Sequence, residues 1–200
     1  MKFFALTGFA ALSACGGSAP TFAPIEAMPF SDVAAQAEAL GDTYGEALAN
    51  EDYNAAGDLP TSGTANYSGV IGLGPTQVAS GDLEPYTVGQ LSVLVDFGDN
   101  TMSGEASDWH DTDAEADDEG FEGSATFEAE IDGVTGEFAG ELDGQFGEGE
   151  DANPFETVIS GGFAGEDAAG FVGSGTGSIN IDLGEGRDDY GFGVIFVAEQ

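Results

Sequence analysis

Residues Phe121-Glu122-Gly123-Ser124-Ala125-Thr126-Phe127-Glu128-Ala129-Glu130-Ile131-Asp132-Gly133-Val134-Thr135-Gly136-Glu137-Phe138-Ala139-Gly140-Glu141-Leu142 decide how the chain folds. Phe121, Gly123, Ala125, Phe127, Ala129 and Ile131 alternate with Glu122, Ser124, Thr126, Glu128 and Glu130. A period of two is the signature of a half-buried strand. Asp132-Gly133 is a two-residue hairpin signal. Beyond it Val134, Gly136, Phe138, Gly140 and Leu142 alternate with Thr135, Glu137, Ala139 and Glu141. The stretch reads as a hairpin with one apolar and one acidic face.

The same period extends in both directions. Leu91, Val93, Val95 and Phe97 make an earlier strand, which Asp99-Asn100 turns into Thr101–Asp108. Ile179, Ile181 and Leu183 make a later one, and Tyr190, Phe192, Val194 and Phe196 the last. Eight or nine strands fit between about 64 and 198, joined mostly by short turns. One apolar face per strand must be closed off from water, and sequential antiparallel strands do this by closing into a barrel without edges. Glycines among inward phenylalanines suit a small barrel with a filled interior. Glutamates on the outer face of both central strands exclude a membrane-spanning barrel, which needs an apolar outer band. The expected fold class is all-β: a single soluble antiparallel eight-stranded β-barrel over 64–200, preceded by a short helix and a flexible lipidated tether.

Composition narrows the function. The 200 residues hold 38 Asp and Glu against two Lys and Arg, a net charge of −36, and 33 glycines. Nucleic-acid binding is excluded, because phosphate contacts need clustered cations. Electrostatic docking on anionic lipid is excluded for the same reason. The acids are spread along the whole chain, which reads as a hydrated surface adapted to salt rather than as a ligand site.

The N-terminus reads as a targeting segment over 1–14. Met1-Lys2 precedes the apolar run Phe3–Ala14, too short to span a bilayer. It ends in Leu12-Ser13-Ala14-Cys15-Gly16-Gly17, which resembles the bacterial lipobox. In such signals the cysteine is lipidated and becomes the first mature residue. Cys15 is the only cysteine, so disulfides and Cys-rich zinc sites are excluded. Lipidated Cys15 implies the membrane as a partner, and Gly16 after it favours the outer membrane by similarity to known sorting signals. Residues 15–30 read as a Pro- and Gly-containing tether and 31–63 as helix and linker. Ser31 is placed as N-cap and Phe30 as a hydrophobic staple. Val33, Ala37, Leu40, Tyr44 and Leu48 recur at helical spacing over about 32–49, with Gly41 and Gly45 weakening the middle. The helix is expected to serve as a plug or lid, and 50–63 as a polar linker.

The densest acidic run is Asp108–Glu122. Asp111, Asp113, Glu115, Asp117, Glu119 and Glu122 match positions 1, 3, 5, 7, 9 and 12 of a calcium-binding EF-hand loop. Ala116, however, stands where that turn requires Gly, and strands rather than helices flank it. The weak metal candidates are therefore Asp111, Asp113, Glu115, Asp117 and Glu122, with Ca²⁺ the one ion considered and a solvated acidic loop the plainer reading. His110 lacks a second His or Cys to share a metal and reads as an exposed loop residue. Arg187 reads as locally paired with Glu185, Asp188 and Asp189. No carboxylate pair stands out, so no catalytic residue, enzyme activity or organic cofactor is expected.

Several short motifs resemble transferrin-binding-protein-like lipoproteins. Ala65-Asn66-Tyr67-Ser68-Gly69 looks like their opening strand, and Leu91–Phe97 with Ser103-Gly104 like their "VDF…SG" hairpin. Ser160–Gly165 with Ala168-Ala169-Gly170-Phe171 resembles a Gly-rich strand pair, and Tyr190–Phe196 the closing strand. The resemblance covers about 64–200 plus the lipobox. It implies an eight-stranded lobe barrel displayed on the outer-membrane surface as a binding module for an unknown solute or protein. Large members capture host iron carriers with two lobes, each bearing a handle domain. This chain has room for one barrel and no handle, so transferrin binding is not carried over. The family supplies no catalytic residues. The alternative function is an acidic structural envelope lipoprotein without a defined ligand, calcium-stabilised or not.

Overall fold

The computed structural model describes residues 22–75, 87–113, 115, 120–147, 152–182 and 187–200. Cys15 and Asp117 lie outside the described residues. Helix α1 (Phe30–Asn50) is followed by a single 3-10 turn at Ala56–Asp58 and then eight strands. These are β1 (Thr64–Pro75), β2 (Thr87–Asp96), β3 (Thr101–Asp111), β4 (Gly123–Ile131), β5 (Glu137–Phe146), β6 (Asn153–Ala164), β7 (Gly170–Asp182) and β8 (Arg187–Glu199). Each pairs antiparallel with the next, and β1 pairs with β8. The all-β, eight-stranded closed barrel expected from the period-two pattern is the observed fold.

The deciding hairpin keeps its phase but not its turn. Ile131 pairs with Phe138, not with Val134 as a two-residue turn would require. The Asp132 carboxylate accepts the N–H groups of Val134 (2.7 Å) and Thr135 (3.3 Å), and Gly136 closes the loop at φ +85°. This Asx turn absorbs Val134, which is 87% exposed. A two-residue turn would have set Val134 on the core-facing side opposite Ile131. The shift is by an even number of residues, so every core side chain stays inside. Outside, Glu128 faces Glu141 directly and Asp143 faces Glu156. Like charges in register repel, and salt screens them.

The interior is packed with aromatic rings. Phe127, Phe138, Phe163, Phe171 and Phe196 are fully or almost fully buried and lie within 5.5–6.4 Å of one another in a connected set of ring pairs. One ring of neighbours across the sheet runs Phe138, Gly161, Gly173, Phe196. A Cβ on Gly161 would lie 2.7 Å from the tip of Phe138, and one on Gly173 would run into Phe196. Glycine is required there because the rings of adjacent strands lie over it.

Tyr67 finishes this core near the turn between β6 and β7. Its hydroxyl donates to the Ala168 carbonyl (2.7 Å) and accepts from Gln200 Nε2 (2.9 Å). Burial pushes the phenol above its ordinary value of 10.0, the Gln200 hydrogen bond pulls it partly back, and Tyr44 adds to the rise. Tyr44 and Tyr53 are raised too, first by burial, then by Glu199 for Tyr44 and by Glu51 and Glu137 for Tyr53. A raised phenol pKa means that the fold favours the neutral form. Its stabilisation is complete below pH 10 and is lost as pH rises through the higher folded-state value. The described residues contain no lysine or cysteine, so among them the alkaline limb belongs to tyrosines. Urea midpoints are expected to hold steady from neutral pH to about pH 10 and to fall above it. Tyr67→Phe should make that fall shallower; an unchanged slope would remove Tyr67 from the account.

Helix α1 is neither a plug nor a lid over an opening. It lies on the outside of the wall, contacting β1, β2, β6, β7 and β8. Val33, Leu40 and Tyr44 are buried against Val70, Val88, Ala164 and Val172. These strands are therefore apolar on both faces, against the expectation of one apolar face each. The helix starts at Phe30, one residue before the expected Ser31 cap. Its first bonds are accepted by the Pro29 carbonyl, from Asp32 (2.9 Å) and Val33 (3.3 Å), and no side chain caps it. Pro29 presets the entry, and Phe30 packs on His110 at 5.9 Å instead of stapling the cap. The segment 50–63, read as a linker, is bound to the barrel. Asn54 N–H donates to the Phe163 carbonyl (2.7 Å), Ala56 N–H to that of Thr135 (3.2 Å), and Leu59 packs on the core.

Candidate functional site

Among the described residues the barrel lumen is packed by the rings just described. What the structure presents is its two ends and its outer wall. The turns 97–100, 132–136 and 165–169 and the 50–63 strap close one end. The connections β1–β2, β3–β4, β5–β6 and β7–β8 all leave the other end, and each carries acids: Asp82, Asp113, Glu148 and Glu185 among them.

The weak calcium candidates belong to the β3–β4 connection at that end. Asp111 closes β3, Asp113 follows in a turn, and Glu115 and Glu122 continue the connection; Asp111, Asp113, Glu115 and Glu122 are exposed. Among the described residues no three His, Cys, Asp or Glu side chains converge to hold an ion.

His110 is corrected by the structure. It is not an exposed loop residue but lies in β3, 1% exposed. The cause is a bulge. Gln90 pairs with Ser107 and Val88 with His110, so β3 gains a residue, and Asp108 adopts φ +55°. The bulge re-phases the strand. Trp109 turns into the core with its ring over Gly89, and His110 lies on the outer side beneath Phe30. Among the described residues neither imidazole nitrogen of His110 has a hydrogen-bond partner, and Nε2 stands 3.5 Å from Asp108 Oδ2.

The bulge builds a clamp that the sequence did not reveal. Asp108 Oδ2 accepts the Met28 N–H (2.9 Å) and Gln90 Nε2 (2.6 Å). Gln90 Nε2 also donates to the Glu26 carbonyl (2.8 Å), and Ser92 Oγ to that of Ala23 (2.6 Å). Residues 23–28, read as part of a flexible tether, thus run fixed along β2. They proceed from the level of Ser92 towards the bulge, that is, towards the end with the long connections. Of the remaining candidate, Arg187, the structure describes the backbone only, paired with Asp182.

A second site missed from sequence is an apolar cleft between α1 and the wall. Ala37, Gly41 and Gly45 line it from the helix, and Val70, Val172 and Val197 from the strands.

No protein-family model matches the chain, and no curated protein matches it. Two solved structures are similar in fold. Intact Ap-TbpB with its N and C lobes is 20% identical, with a TM-score of 0.39, over 74% of this chain and 28% of that one. The isotype 1 transferrin binding protein B of serogroup B Neisseria meningitidis is 20% identical, with a TM-score of 0.37, over 70% of this chain and 26% of that one. The chain thus spans little more than a quarter of either protein, and the likeness is one of barrel fold.

Proposed function

We propose that the protein is a lipid-anchored outer-membrane lipoprotein that presents its barrel at the cell surface as a non-catalytic module binding a protein partner. The packed lumen carries the choice of a protein partner: with phenylalanines filling the interior among the described residues, contact is made from outside. The transferrin in the name of the Neisseria protein is not assigned to this chain, which spans only about a quarter of that protein's length.

The test is metabolic labelling with an alkyne fatty acid in a Gram-negative host, combined with protease added to intact cells. Wild type is expected to take up label and to be digested from outside. Cys15→Ala is expected to lose all label and stay unprocessed. Label retained by Cys15→Ala, or a barrel that protease reaches only after lysis, would refute the anchored surface reading.

A second reading is an acidic structural coat without a ligand. It rests on the outward carboxylates that face one another across β4, β5 and β6, an arrangement that favours hydration over docking. Cross-linking on intact cells separates the two. A discrete adduct supports the binding module, whereas none at any cross-linker length supports the coat.

A further inference from the structure

The cleft beside α1 has a volume of about 270 Å³. No charged or hydrogen-bonding side chain lines it. Gly41 and Gly45 form its helical side, and glycine is the poorest helix former after proline. A glycine on a packed helix face normally admits a neighbouring backbone. Here a Cβ at either position would meet no atom within 4 Å. Among the described residues nothing packs over the two glycines, Gly41 being exposed and Gly45 half-buried, and they cost the helix stability. The cleft opens to solvent beside the exposed Gly41, and a trough lined by hydrocarbon alone favours apolar ligands. Its shape, a trough between a helix flank and strand side chains, suits a linear chain. Charge sets the other end of the ligand. The exposed side of the helix carries Glu38, Asp42 and Glu46, and the chain as a whole carries −36. An anionic head is repelled by that field and a cationic one attracted.

We propose that the cleft between α1 and the outer wall of β1, β7 and β8 binds a single alkyl chain of an external amphiphile with a cationic or neutral head group. This does not depend on lipidation of Cys15, because the cleft is built entirely from residues 37–197.

The test uses the full chain, its Cys15→Ser form and calorimetric titration below the micelle concentration. The probes are dodecyltrimethylammonium, glyceryl monolaurate, laurate and, as a head group alone, tetramethylammonium. Saturable one-to-one binding of the first two is expected, with laurate weaker and tetramethylammonium silent. Gly45→Leu fills the cleft with a better helix former. It should therefore fold, raise the melting temperature, and weaken dodecyltrimethylammonium binding by at least about tenfold. Gly41→Leu repeats the test from the neighbouring turn. Equal binding by tetramethylammonium, or binding untouched by both leucines, would mean surface ion pairing and overturn the proposal. So would laurate binding tightest. Binding by Cys15→Ser but not by the lipidated chain would show that the protein's own acyl chain fills the cleft, which also overturns an external ligand.

Discussion

Phe138→Ala is expected to destabilise the barrel by about 3–5 kcal/mol, the upper range for loss of a buried ring. The ring sits 6.4, 6.0, 5.7 and 6.1 Å from those of Phe127, Phe163, Phe171 and Phe196. It also covers Gly161, which has no side chain with which to replace it. The cost of a large-to-small change depends on how far the surroundings collapse into the void. Here they cannot collapse far, since β5 is hydrogen-bonded on both sides within a closed sheet and cannot move inward alone. Urea denaturation of the variant measures the effect. Val158→Ala, on the same sheet but 68% exposed, is the control and should stay within about 0.5 kcal/mol. A loss below about 1.5 kcal/mol for Phe138→Ala would mean that neighbouring rings re-pack into the space, and that the core is more fluid than its geometry indicates.

This core was the legible part of the sequence, because inward positions follow a period of two and a slip by two or four residues leaves them inward. That is why the β4–β5 hairpin could be phased correctly from Phe127, Phe138 and Leu142 even though Asp132-Gly133 pointed to the wrong turn. Legibility failed where one extra residue broke the period. The bulge at Asp108 separates Ala106 from Trp109 by three positions, both buried. The alternation of β3 therefore breaks where the strand only changes phase. With that signal gone, His110 looked like part of an acidic loop. The outer apolar row failed for a different reason. Val70, Val172 and Val197 are neighbours only after the barrel has closed and β8 lies beside both β1 and β7. No local window shows that they form one surface, nor that the helix in the N-terminal quarter covers it. The cleft is a residue of that same non-local contact. Gly41 and Gly45 read as weak points in a helix until the wall opposite them is known.

Leu40→Ala is expected to cost about 2–5 kcal/mol, the range for a buried leucine, although it lies outside the barrel altogether. Leu40 is 3% exposed and is the central member of the helix stripe Val33, Leu40, Tyr44. That stripe covers Val70, Val88, Ala164 and Val172, so the wall loses its cover if the helix lets go. Hydrophobic burial on both partners then makes α1 and the barrel one cooperative unit, anchored in addition by the clamp of Met28 on Asp108 and by the Asn54 strap. The expected result is a single unfolding transition shifted to lower urea, with hydrogen exchange in 30–50 and in β1, β7 and β8 accelerating together. An independent lid would behave otherwise: exchange would rise in the helix alone, and the barrel would keep its midpoint. Gly45→Leu lies one turn beyond, on the flank facing the cleft rather than the buried stripe, and should shift the midpoint the opposite way. Opposite signs at positions 40 and 45 would show that one flank of the helix is bound to the wall while the other stands clear of it.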